Sequence, residues 1–283
     1  MTTPRRRNVP TGPASPAGAD PLVADTVTLQ PGDTPVSSGL RLEIARGSFT
    51  VIIGPNACGK STLLRALAGL LTPEEGRILL DGSDLRRWSA RQAASRLGLL
   101  PQTATSPDGI GVSELVARGR FAHQRLLRQW SADDQHAVDE ALRLTGTEHL
   151  AARRVDELSG GQRQRVWIAM VLAQQSPTIL LDEPTTYLDI SHQLEVLNVL
   201  HALHLQGRTI VVVLHDLNQA ARYADRLVVM RQGKIVAEGD PQRVLTTELV
   251  REVFELPNRV VPDPVTGTPL VVPEDTRAGA PAP

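Results

Sequence analysis

Short runs of aliphatic and β-branched residues alternate along this chain with longer segments whose apolar positions recur every three to four residues. Residues 50–53, 178–181 and 209–214 each open on threonine and continue with aliphatic residues at successive positions, the pattern of strands buried on both faces. Each run leads through a turn into a segment of helical period. In the segment after residue 190, Leu194, Leu197, Leu200 and Leu203 share one face, and Ser191 is the expected helix cap. Residues 226–230 and 234–237 flank Arg231-Gln232-Gly233 and predict a hairpin. From about residue 88 to 154 the pattern changes: past Leu99-Leu100 it predicts no strand, only helices over 112–119, 132–144 and 148–153. The alternation predicts a mainly parallel α/β sheet carrying an all-helical insert.

The two ends lack this periodicity. Residues 1–21, rich in Pro, Ala, Gly and Thr, read as a disordered leader in which Arg5, Arg6 and Arg7 are solvated charges. Residues 257–283 are rich in proline; there the turn Asp263-Pro264-Val265-Thr266-Gly267 leads into Leu270-Val271-Val272. That apolar run is expected to pack as an edge strand, with about the last eight residues loose.

Composition removes several classes of function. The chain has 283 residues, with 30 Lys+Arg against 31 Asp+Glu, so it lacks the basic excess of a nucleic-acid binder. The longest aliphatic run, 210–214, is far below the ~20 residues of a membrane span. No apolar segment follows the Arg5-Arg6-Arg7 start, so no secretory signal is expected. The single cysteine, Cys58, has no internal disulfide partner and fits a reducing, intracellular setting. Lys60 and Lys234 are the only lysines, which directs attention to what each does.

Lys60 sits in Gly54-Pro55-Asn56-Ala57-Cys58-Gly59-Lys60-Ser61-Thr62, directly after the 50–53 strand and opening a helix. This is the G-x-x-x-x-G-K-[ST] spacing. Glycines let the backbone wind until successive N–H groups point inward at phosphate oxygens, and the helix dipole adds to the field. Lys60 supplies a point charge for the β- and γ-phosphates, and the Ser61 hydroxyl is suited to ligate Mg²⁺. Asp182 and Glu183 end the apolar 178–181 run. Beside a bound nucleotide, Asp182 suits holding Mg²⁺ through a water, and Glu183 suits orienting or deprotonating the attacking water. Leu158-Ser159-Gly160-Gly161-Gln162 precedes another helix. On its own it reads as a Ser159-capped helix whose two glycines admit an anion.

In chain order, the phosphate loop, Gln102 after an apolar strand, Leu158-Ser159-Gly160-Gly161-Gln162, Asp182-Glu183, Asp189 and His215 resemble the nucleotide-binding subunit of ABC transporters over about residues 22–256. The resemblance implies a P-loop NTPase (RecA-like) core with an antiparallel β subdomain and an α-helical subdomain near 88–154, followed by the Pro-rich extension at 257–283. It implies that two copies pack head to tail around two ATP molecules, so that Ser159, Gly160 and Gly161 face the γ-phosphate held by the partner's Lys60 and Thr62. It makes Gln102 the residue that senses Mg²⁺ and water where the membrane subunit docks. Asp189 then joins the two sites across the dimer, and His215 contacts the γ-phosphate. Tyr187 and Trp167 read as packing residues. One departure stands at Pro31, where the family usually stacks an aromatic ring on adenine; this implies a weaker, apolar base contact.

Three stretches narrow the resemblance: Leu115-Val116-Ala117-Arg118-Gly119-Arg120-Phe121-Ala122-His123-Gln124, residues 184–193, and residues 214–220. With residues 263–269 they resemble the ATPases of iron–siderophore importers, whose wider group includes haem, cobalamin and metal-ion systems. The implied partners are a second copy of the chain, integral-membrane permeases and, indirectly, an extracytoplasmic binding protein. The implied place is the cytoplasmic face of the cell membrane. A soluble ABC-type ATPase would ask for a long heptad insertion, a second ATPase copy or a basic face. A non-hydrolysing nucleotide switch would not ask for both Glu183 and His215.

Overall fold

The computed structural model describes residues 22–123 and 130–275. β3 (Phe49–Ile53), β7 (Thr178–Asp182) and β8 (Thr209–Val213) are buried at every position, as their unbroken apolar runs require. They form the centre of a six-stranded sheet in the order β10 (Lys234–Gly239), β9 (Arg226–Arg231), β3, β8, β7, β6 (Leu97–Leu100). All pairings are parallel except the β9–β10 hairpin. The C-terminal ends of β3, β7 and β8 therefore share one edge, where the chain leaves the sheet in the loops that carry the candidate chemistry.

A second, antiparallel sheet has the order β2 (Ser37–Ile44), β1 (Leu22–Leu29), β4 (Glu75–Leu80), β5 (Ser83–Asp84). α1 (Lys60–Leu67) joins the two sheets: Leu63, Leu64 and Leu67 share one apolar cluster with Leu22, Ile44, Ile52 and Val213. On the opposite face, α5 (Gly160–Ala173) and α6 (Ile190–Leu205) cover Val51, Ile53, Ile179, Leu181 and Val212. α2 (Ala90–Ala94) precedes β6, while α3 (Val112–Ala117) and α4 (Ala132–Leu144) pack on α5. Arg120 fastens this helical portion: its guanidinium is buried, 2.9 Å from Asp134 and 2.9 Å from the Ala173 carbonyl. α7 (Leu217–Tyr223) connects β8 to β9, and α8 (Pro241–Val244) and α9 (Thr247–Phe254) follow the last strand of the main sheet. Among the described residues no helix is long and apolar enough to cross a membrane.

Two local expectations change, and a third gains a partner. The helix of the Leu194–Leu203 face begins at Ile190, so its cap is Asp189 rather than Ser191; Asp189 Oδ1 accepts the His192 N–H at 2.9 Å, and Ser191 donates to the same oxygen. The helix expected at 148–153 is a single turn over Glu148–Leu150. The 270–272 run is the strand expected: β12 (Pro269–Pro273) pairs with β11 (Asn258–Pro262) as a hairpin separate from the main sheet. Proline lacks the N–H a ladder needs, and Pro262, Pro269 and Pro273 bound this hairpin. It docks on α7 through Asn218, whose amide accepts the Val271 N–H at 2.7 Å and donates to the Val271 carbonyl at 3.3 Å. The 1–21 leader, Gln124 and the last eight residues lie outside the described residues.

Candidate active site

The phosphate loop closes on its own lysine. A Cβ on Gly54 would lie 2.2 Å from the Met230 carbonyl oxygen, so only glycine lets the loop leave β3 here. Gly59, at φ 103, forms the N-cap of α1 and no side chain caps it, which leaves the first-turn N–H groups for an anion. Lys60 is buried, and its Nζ donates to the Gly54 and Pro55 carbonyls at 2.8 Å each. Cys58 packs inside the loop, its Sγ 4.0 Å from Lys60 Nζ. Burial pushes its thiol above the ordinary range against the opposing Lys60 charge.

The loop forms one wall of a cleft of about 690 Å³, lined by residues 56–62 together with Val36, Gln102, Glu183 and His215. At its base the Ser61 hydroxyl donates to Asp182 Oδ1 at 3.1 Å. Asp182 is 3 % exposed. Burial pushes its carboxyl above the usual range and the Glu183 charge adds to this, while the Ser61 hydroxyl and the Lys60 charge oppose it. Glu183 adopts φ 53, and its N–H donates to the Val213 carbonyl at 3.2 Å, which ties it to the strand leading to His215. A non-glycine residue in this region carries strain that surrounding structure must hold in place. Its Oε1 lies 2.6 Å from His215 Nε2.

The second glycine motif lies outside this cleft. Ser159 caps α5 by accepting the Gln162 N–H at 3.3 Å, while Gln162 Oε1 accepts the Ser159 N–H at 3.2 Å. This reciprocal box occupies the Gln162 side chain and leaves Gly160 and Gly161 bare at the helix N-terminus. A Cβ on Gly161 would sit 3.3 Å from Leu188 Cδ2, so the motif lies beside the loop that ends at Asp189. Ser159, Gly160, Gly161, Gln162 and Asp189 therefore share a second surface. Trp167 is buried as expected, but Tyr187 is not a packing residue: it is 79 % exposed at φ 68 on that surface.

The sequence profile of ABC transporters matches residues 37–186, from β2 through the loop beyond Glu183. The chain belongs to the ABC transporter family. It is 53 % identical over 253 residues to the ferric enterobactin transport ATP-binding protein FepC of Escherichia coli K12, covering 89 % of this chain and 93 % of that protein. It is 49 % identical to the probable siderophore transport system ATP-binding protein YusV of Bacillus subtilis 168, over 90 % of this chain and 94 % of that one. A dimeric bacterial ABC transporter cassette superposes with a TM-score of 0.71 at 28 % identity, over 77 % of this chain and 98 % of that cassette. As an ABC ATPase, this chain binds and hydrolyses ATP.

Pro31 is exposed and does not line the cleft. Val36, five residues on and half-buried, does, and it packs over Gly59 and Gly233. Pattern reading missed Val36 because a lone valine in a polar loop shows no period; its one signal was being the only large apolar residue there.

The buried carboxylate of this ABC ATPase also sets a stability test. The folded state binds a proton on Asp182 more tightly than the unfolded chain does. Its contribution to stability is therefore present at low pH and is lost as pH rises from the ordinary carboxylate range through its raised pKa. Asp182→Asn keeps an acceptor for Ser61 and removes the buried charge. At neutral pH the nucleotide-free variant is expected to melt about 2–4 °C higher, while ATP hydrolysis is lost. Melting curves from pH 4 to 8 check this, and an unaltered or lowered melting point at pH 7 would count against it.

Proposed function

We propose that this chain powers import of a ferric siderophore complex through a membrane permease, working as a head-to-tail pair on the cytoplasmic face of the membrane. The observation that carries the reading is the cleft that gathers Lys60, Ser61, Gln102, Glu183 and His215 in a chain about half identical to siderophore-transport ATPases. Residues 22–256 form the ATPase unit, and the 257–283 extension is an appendage whose hairpin braces α7.

ATP lies along the phosphate loop with its phosphates on the α1 N-terminus and its γ-phosphate against Lys60. Ser61, Asp182 and Gln102 offer only oxygen-bearing groups, the donor set a hard cation takes. Mg²⁺ held by these residues would supply charge neutralisation to the phosphates. Glu183 accepts a proton from the attacking water, and His215 orients Glu183 and reaches the γ-phosphate. The partner closes the site with Ser159, Gly160 and Gly161 at the N-terminus of its α5, and Asp189 stands beside them at the junction.

A groove of about 580 Å³ suits the permease. Its walls are Leu70, Leu71 and Pro73 beyond α1, Leu85 and Trp88 before α2, and Leu97 and Leu99 of β6. It adjoins the 88–154 segment through Trp88, α2 and β6, so the docking surface lies largely on residues 66–99. One end of α1 meets phosphate and the other meets this groove. β6 likewise leads to Gln102, so seating a permease helix shifts both walls of the cleft. Uptake of labelled iron tests the reading: cells lacking their own ATPase and expressing this chain with its permease should recover siderophore–iron uptake. Recovery of haem uptake alone would reassign the cargo.

A further inference from the structure

His215 and the 184–189 loop belong to different elements, and one side-chain amide joins them. Gln193, in the first turn of α6, donates from Nε2 to the Leu188 carbonyl at 3.0 Å and to the Thr185 carbonyl at 3.4 Å. Its Oε1 accepts from Gln219 Nε2 at 2.8 Å. Gln219 lies in the first turn of α7, where its N–H bonds to Asp216, the cap that follows His215. The far side of α7 is clamped by Asn218 to the β12 backbone.

We propose that Gln193 and Gln219 are positioning residues that make the His215 segment and the 184–189 loop move as one body. Leu188 also packs beside Gly161, so the tie joins the hydrolytic end of one cleft to the surface that meets the partner's nucleotide. Release of phosphate contacts at His215 thereby shifts the loop next to the other ATP, which couples the two sites. The inference rests on the proposed roles of His215 and of the Gly160-Gly161 surface. The physical reason is shared satisfaction: while the Gln193 amide holds both partners, one segment cannot shift without pulling on the bond that serves the other.

Hydrogen–deuterium exchange on the nucleotide-free full-length chain and steady-state ATPase kinetics test it together. Gln193→Ala and Gln219→Ala are each expected to speed exchange in both 184–189 and 216–220. Each should lower kcat about three- to tenfold with KM for ATP within about twofold. The double variant should be no worse than the worse single, as expected of partners in one interaction. Gln193→Glu keeps the acceptor for Gln219 but has no N–H for Leu188. It should free 184–189 while 216–220 stays protected. Faster exchange confined to the substituted element, or kcat losses that multiply in the double variant, would overturn the tie. An inactive wild-type protein would instead refute the ATPase roles, and the exchange pattern would still decide whether the two segments are joined.

Discussion

Glu183→Gln is expected to cut ATP turnover by about 10²- to 10⁴-fold, the usual worth of a positioned general base, with ATP affinity nearly unchanged. The substitution keeps the side-chain shape at the end of β7 and removes only the negative charge and basicity. Glu183 does not touch the phosphate loop; its side chain faces His215 at 2.6 Å and the Thr186 hydroxyl at 3.4 Å. Nucleotide binding, which the proposed site assigns to residues 54–62, should therefore be left intact. If the proposed head-to-tail pair parts on hydrolysis, the variant should accumulate as an ATP-bound dimer visible by size-exclusion chromatography with ATP. ATPase activity equal to wild type would remove Glu183 from its catalytic role, leaving the His215 contact a structural one.

Lys60→Ala carries the second large effect, on binding. An ammonium bonded to charged oxygens is worth ~1.5–3 kcal/mol, so ATP affinity should fall about 10- to 100-fold. Turnover should fall with it, since the same charge meets the γ-phosphate. Lys60→Arg should not rescue it. The ammonium occupies a buried space between two carbonyls 2.8 Å away, and a planar guanidinium fork does not fit that space as a point charge does. Calorimetric titration with a non-hydrolysable ATP analogue measures the loss. Affinity within twofold of wild type would place the phosphates elsewhere.

Much of the catalytic arrangement was legible in sequence because its parts are local. Residues 54–62 form one continuous loop, and the glycines that shape it are read without knowing what packs behind them. Asp182-Glu183 and His215 each follow an unbroken apolar run, so their placement at strand ends could be expected. Tyr187 could not be read this way, because exposure depends on how the 184–189 loop lies over α5. Arg120 was legible only as part of a family-like stretch. The structure gives it a physical task, a buried guanidinium pinned between Asp134 and the end of α5.

Hydrophobic periodicity, glycine placement and strand-end charges thus carried the fold class, the phosphate loop and the identity of the acids, since each depends on near neighbours along the chain. Tertiary packing alone decided that Val36 rather than Pro31 borders the cleft. It also set β12 against Asn218, and Gln193 between α7 and the loop beside Gly161. Those contacts join residues from separate elements, some of them more than fifty positions apart. Their energies come from partners that exist only once both sheets and the covering helices have assembled.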